Sequence, residues 1–142
     1  MACVQEILES KPREIHTLAS NCTVLEALEL MAREDIGAIP VLDNGRLEGI
    51  FTERLYARNV FLKGRDSPKT LLKDVMVRDV ITVTPDGKVE ECMALMSDKR
   101  IRHLPVIREN SVVGIVSIGD LMKSIIQERE LDIEHLVNYI NR

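Results

Sequence analysis

The chain has 142 residues, 45% of them hydrophobic and 30% charged, with 19 basic against 23 acidic side chains, a net charge of −4 and only 3% aromatic residues. That length suits about one domain's worth of core, and no apolar run nears the ~18 residues needed to span a bilayer, so no membrane partner is expected. An acidic balance with few stacking rings argues equally against nucleic-acid binding.

Residues Met1 to Pro12 have neither the apolar core of a secretory signal nor the Arg-rich, acid-poor composition of a transit peptide, and a cytoplasmic setting is expected. Cys3, Cys22 and Cys92 are widely separated, outside any Cys-x-x-Cys spacing, and suit free thiols used as small apolar packing residues in a reducing compartment.

In chain order, Val4 to Leu8 reads as a short helical lead-in. Ile15-His16-Thr17-Leu18 clusters apolar and β-branched residues before a turn and predicts a strand. Val24, Ala27, Leu28 and Met31 then mark the buried face of a helix. Ile39-Pro40-Val41-Leu42 and Leu47 to Phe51, separated by Asp43-Asn44-Gly45, predict a hairpin whose Gly49 is closely approached by a neighbour. A second helix should begin near Thr52.

After a polar connector, the pattern returns. Leu72 to Met76 matches the lead-in, Val80 to Val83 the first strand, and Val89, Cys92, Met93 and Met96 the helix face. Leu104 to Ile107 and Val112 to Val116 match the hairpin, and Ser117 starts the second helix. From Ile15 to Tyr56 and from Val80 to Leu121 the offset is a constant 65. Ten of the 42 aligned positions are identical: Thr17/82, Val24/89, Glu26/91, Leu30/95, Met31/96, Ile36/101, Pro40/105, Val41/106, Gly49/114 and Ile50/115. Chance would give roughly two or three. The fold class is therefore α/β, more strictly α+β: two tandem β-α-β-β-α units at 4–63 and 72–126, a connector at 64–71 and a C-terminal helical tail at 127–142. Lead-ins are offset by 68, because the first copy has three extra residues before its strand. In the tail, Leu121, Ile125, Ile126, Ile133, Leu136, Val137 and Ile140 describe an amphipathic stretch. It reads as two helices broken near Leu131-Asp132, covering the core or packing on another subunit.

No catalytic constellation is visible: His16, His103 and His135 are scattered, and neither a nucleophile elbow, a metal-spaced His pair nor a glycine-rich phosphate loop occurs. The chain is expected not to be an enzyme and to need no catalytic cofactor or metal. The informative turn is Ser117-Ile118-Gly119-Asp120. A helix N-terminus offers backbone N–H groups and a positive dipole end to an anion, Ser117 adds a hydroxyl, and the Asp120 carboxylate suits the vicinal hydroxyls of a ribose. The same Ser-x-x-Asp spacing also describes a capping box, in which the two residues simply start the helix. Arg102 and His103, standing where the first copy has Gly37 and Ala38, are either solvated surface residues or a phosphate-neutralising pair. Ile81, Val83, Leu104 and Ile118 could sandwich a purine, or be core. In the first copy Thr52-Glu53-Arg54-Leu55 has a leucine where the second has Asp120.

Ile36-Gly37-Ala38-Ile39-Pro40-Val41 answered by Ile101-Arg102-His103-Leu104-Pro105-Val106, Gly49 to Arg54 answered by Gly114 to Leu121, and the lead-in Lys73-Asp74-Val75-Met76 together resemble a pair of cystathionine-β-synthase (CBS) domains, a Bateman module. The resemblance runs from about Val4 to Ile126. It implies two copies packed as a pseudo-twofold pair, modules that pair into a homodimer, and an adenosyl ligand such as AMP, ATP or NAD in a cleft between the copies. It implies that Ser117 and Asp120 hold phosphate and ribose, with Ile81, Thr82, Arg102, His103, Leu104, Pro105 and Ile118 around the rest of the ligand. A counterpart site in the first copy would use Thr17, Gly37, Ala38, Ile39 and Thr52, altered by Leu55, and Arg54 of the first copy would reach toward the phosphates of the second copy's ligand. A non-catalytic sensor that acts on a regulated protein in trans is the function expected; the alternative is a dimerising protein-interaction module that uses no nucleotide.

Overall fold

The computed structural model describes residues 2–10 and 14–141. Its elements run α1 (Val4–Ser10), α2 (Val24–Glu34), β1 (Ala38–Asp43), β2 (Arg46–Thr52), α3 (Glu53–Leu55) continued by a π-helical turn (Tyr56–Phe61), a 3₁₀ turn (Leu72–Asp74), α4 (Val89–Lys99), β3 (His103–Arg108), β4 (Ser111–Ser117) and α5 (Ile118–Ile140). The fold is α+β, with two two-stranded sheets, β1-β2 and β3-β4.

The contacts divide the chain into two compact units that do not follow the repeats in sequence order. Among the described residues, one unit combines 2–10 with 82–108 and 112–141; the other combines 14–81 with 109–111. The lead-ins are exchanged. In the first unit, Val4 and Gln5 donate backbone hydrogen bonds to Gly87 and Pro85, both at 2.8 Å, and Leu8 lies on Gly114 of β4. In the second, Leu72 donates to Cys22 at 2.9 Å, Val77 and Ile50 exchange backbone bonds at 2.9 and 3.0 Å, and Met76 lies on Gly49 of β2. The two glycines predicted to be closely approached are thus each covered by a lead-in, at equivalent positions of the two copies.

The helix faces follow the predicted spacing except that Leu28 and Met93 are only half-buried and Leu30 is buried in their stead on α2. Val24, Ala27, Leu30 and Met31 of α2 are buried with Ile39, Val41, Phe51, Val60, Leu72, Val75 and Met76 in one core cluster. Val89, Cys92 and Met96 of α4 are buried in the other unit, as are Val4, Ile7, Leu104, Val106, Val116 and Leu121. Asp35 and Arg100, also 65 apart, close α2 and α4 in the left-handed region with φ of 52° and 54°.

Two expectations are corrected. The strands predicted at Ile15–Leu18 and Val80–Val83 are single parallel bridges, Leu18 to Val41 and Val83 to Val106. Leu18 donates to Pro40 O at 3.4 Å and accepts from Leu42 N at 2.9 Å; Val83 does the same with Pro105 at 3.0 Å and Ile107 at 2.8 Å. The next rung of each ladder would require an N–H from Pro40 or Pro105, and proline has none. The helix expected near Thr52 does begin there, with Thr52 as its N-cap, and after three residues it widens into a π-turn, where Leu62 donates to Ala57, five residues back, at 3.0 Å. Finally, α5 is one continuous helix of 23 residues through Leu131-Asp132, with neither Pro nor Gly there to break it. Its second half does not cover the core: Ile133, Leu136, Val137 and Ile140 are all exposed.

Candidate functional site

The Ser117 turn is built by hydrogen bonds that can be followed from the strand upward. Ser117 is extended (φ −100°, ψ 164°) and N-caps α5. Its Oγ accepts from Asp120 N at 3.1 Å, while Asp120 Oδ2 accepts from Ser117 N at 2.9 Å. Ile118 N donates to the Arg102 carbonyl at 2.9 Å. That bond ties the residue before β3 to the first turn of α5, so Arg102, His103, Ser117, Ile118 and Asp120 converge at one end of the β3-β4 hairpin.

The reciprocal capping box is therefore present. The cap bonds use one lone pair of the Ser117 hydroxyl and one oxygen of the Asp120 carboxylate, and the Ser117 O–H remains a donor. Ser117, Ile118, Asp120 and His103 are half-buried, and Arg102 and Thr82 are exposed. Leu104 and Pro105 are buried, and Ile81 is half-buried at the end of the other compact unit.

The first copy repeats the scaffold and loses the acid. Glu53 N donates to the Gly37 carbonyl at 3.1 Å, and Leu55 N donates to Thr52 Oγ1 at 3.1 Å. Ala38 pairs with Thr52 and Ile39 with Phe51 across β1-β2, which brings Gly37, Ala38, Ile39 and Thr52 together. Ala38 and Ile39 are buried, Thr17 and Gly37 half-buried, and Arg54 exposed. Leu55 has no side-chain oxygen to return to Thr52 N, and it packs against the core cluster instead.

Asp120 also lines a 290 Å³ cavity with Glu6, Ile7 and Ser10 of α1 and Lys123, Ser124 and Gln127 of α5. Sequence reasoning missed these neighbours. The α5 residues were within reach, since Asp120, Ser124 and Gln127 share a helix face; the α1 residues were not, because their presence depends on the lead-in exchange. Among the described residues, no three His, Cys, Asp or Glu side chains are grouped to hold a metal ion. Nor is any helix among them long and apolar enough to cross a membrane.

Comparison with known proteins places these features in a family. The CBS domain model matches residues 4–58 and 72–127. CBSX3, a mitochondrial CBS domain-containing protein of Arabidopsis thaliana, is 41% identical over 123 residues that cover 83% of this chain and 60% of its own. The CBS domain-containing protein YhcV of Bacillus subtilis is 34% identical over 118 residues, 83% of this chain and 84% of its own. The chain thus spans less than two thirds of the first relative and most of the second. A solved protein with CBS domains from Burkholderia ambifaria superposes with a TM-score of 0.86 at 44% identity, covering 89% of this chain and 95% of that one. The CBS domain pair of MJ0100, solved in complex with 5′-methylthioadenosine and S-adenosyl-L-methionine, superposes with a TM-score of 0.79 at 28% identity over 90% of this chain and 98% of that one. With both repeats matched and the paired fold reproduced in solved relatives, the chain belongs to the CBS domain family.

Proposed function

We propose that the chain is a non-catalytic sensor whose second repeat binds an adenosyl ligand, AMP, ATP, NAD or a related molecule. The observation that carries this reading is the turn in which Ser117 and Asp120 stand beside the Arg102 carbonyl at the start of α5. Asp120 accepts hydrogen bonds from the ribose hydroxyls, and Ser117 donates its hydroxyl hydrogen to the ligand. Arg102 neutralises phosphate, with His103 beside it. Thr82, Ile81, Leu104, Pro105 and Ile118 border the base. The methylthioadenosine and S-adenosylmethionine bound by the MJ0100 pair support an adenosyl moiety as the shared chemistry. The first repeat, with Thr17, Gly37, Ala38, Ile39, Thr52 and Arg54, lacks the acid for a ribose and is at most a weaker site of altered selectivity.

A ligand changes the output of such a module only by binding two arrangements with different affinity. A homodimer in the cytoplasm that acts on a regulated protein in trans completes the reading. A second reading, a dimerising interaction module without nucleotide, is favoured by the exposed apolar side chains of α5.

The deciding experiment is calorimetric titration with AMP, ATP, NAD and S-adenosylmethionine, repeated with Asp120→Ala and with free adenine. Saturable binding of one ribose-bearing ligand that weakens tenfold or more in the variant, with adenine unaffected, supports the sensor. Heat from none of them, in folded protein stripped of carried-over nucleotide, moves the assignment to the interaction module.

A further inference from the structure

From Arg129 to its end at Ile140 every residue of α5 is exposed. This part of the helix also lies past residue 127, where the family match ends. A helix of that length without cover is only marginally stable in water, so the apolar content of this one is informative. Ile126, Ile133 and Ile140 are spaced by seven, at 53%, 61% and 76% exposure; Met122 and Leu136, at 49% and 62%, occupy the interleaved positions three residues on, with Arg129 between them. At 100° per residue these side chains and Val137 fall on one stripe about 100° wide. The stripe lies on a different flank from Leu121, the buried residue of the helix.

Arg129, the charge within the stripe, turns its guanidinium aside to Glu90 at 3.7 Å and Asp132 at 3.6 Å. Its methylene stem stays in line with the apolar row. Glu130 borders the stripe beside Val137 and Glu134 lies beyond it; both are exposed.

We propose that this stripe is a homotypic helix-pairing surface whose occupant is the same stripe on a second copy of the chain. It deepens the homodimer reading above and rests on it, by assigning the contact to one stripe of α5 that starts within the family match and continues past its end. A seven-residue apolar period stays in contact only with another helix that it can wrap, and a second α5 supplies the same period. Isoleucine in one row and leucine or methionine in the other is the pattern that favours two strands. Half-exposed side chains in this number present on the order of 500 Å² per copy, so two stripes bury about 1,000 Å², the lower bound of a stable interface.

The test is sedimentation of the full chain without nucleotide, so that its result is independent of ligand binding. Ile133→Glu combined with Leu136→Glu should halve the mass, with helix content by circular dichroism unchanged. Leu131→Glu, an exposed apolar position off the stripe, should leave the mass as it is. A monomeric unmodified chain, an unchanged mass in the double variant, or a halved mass in Leu131→Glu would each overturn the proposal. Should the double Glu variant not fold, Ile126→Ala with Ile140→Ala should weaken the association constant about tenfold or more; an unchanged constant overturns it equally.

Discussion

Leu8 Cδ2 lies 2.6 Å from the point where a Cβ on Gly114 would stand. A methyl group there forces the leucine to move, and the leucine can, because the contact is the far end of a flexible side chain. At Gly49 the intruding atoms are Met76 Sδ at 2.6 Å and the Val77 carbonyl oxygen at 2.8 Å, and that carbonyl is held by Ile50 N. Gly114→Ala should therefore cost about 1 kcal/mol and Gly49→Ala about 3 kcal/mol. Denaturant unfolding measures both, and equal losses would mean that the backbone at Val77 yields as easily as a side chain.

Removing the cap at α5 separates stability from binding. Ser117→Ala leaves Asp120 N without its acceptor and should cost about 1 kcal/mol, a fall in Tm of roughly 2–4 °C for a chain of this size. Thr52→Ala should cost a similar amount in the first repeat, where Leu55 N loses the same kind of bond. The two variants should then diverge in titration: adenosyl ligand binding weakens in Ser117→Ala and persists in Thr52→Ala. Parallel loss of binding in both would assign the ligand to both repeats.

Acid should reveal the contact between Ser20 and Asp43. The Ser20 side chain and its N–H, which donates to Asp43 Oδ1 at 2.9 Å, hold this carboxyl below the usual carboxylate range, with a smaller contribution from Arg78. A group whose folded pKa is lowered stabilises the fold above the unfolded value, about 3.9 for Asp, and loses that contribution as pH falls through the folded value. The Tm advantage of the unmodified chain over Asp43→Asn should thus be present at neutral pH and shrink once the solution is more acid than about pH 4. An advantage that grows in acid would contradict this.

Cys92 is 2% exposed, and burial, assisted by the charge of Glu91, pushes its thiol above the ordinary cysteine range. The reactive form is the thiolate. A disulfide reagent at neutral pH should leave Cys92 unmodified in the native protein and reach it only as the protein unfolds, which mass mapping of the labelled peptides will show. Labelling at the rate of an unstructured thiol would mean that the unit opens far more readily than its packing indicates.

The repeat was legible because duplication writes each buried position twice. The faces of α2 and α4, the two hairpins and the glycines at 49 and 114 all emerge from one offset, and the Ser117–Asp120 pairing was visible as a capping spacing before its bonds were. What could not be read depends on partners distant in sequence. Leu8 and Met76 look alike as lead-in residues, but nothing local says that each covers the glycine of the other repeat. The limit on the first strand was written in Pro40 and Pro105 and was missed because the missing donor belongs to the neighbouring strand. Glu6 and Ser10 of α1, which line the cavity with Asp120, escaped notice for the same reason as the exchange itself.

That exchange bears on how the protein is made. With α1 docked among residues 82–141 and the segment around Leu72–Val77 docked among residues 14–62, neither half of the gene encodes a finished piece. A ribosome that has delivered the first repeat has produced a chain still missing the clamp over Gly49, and the helix made first waits longest for its seat. Contacts so far apart in sequence slow folding and tie the two halves to one transition. Cutting the chain in the 64–71 connector should therefore yield two fragments that are separately unfolded and recover structure only when mixed.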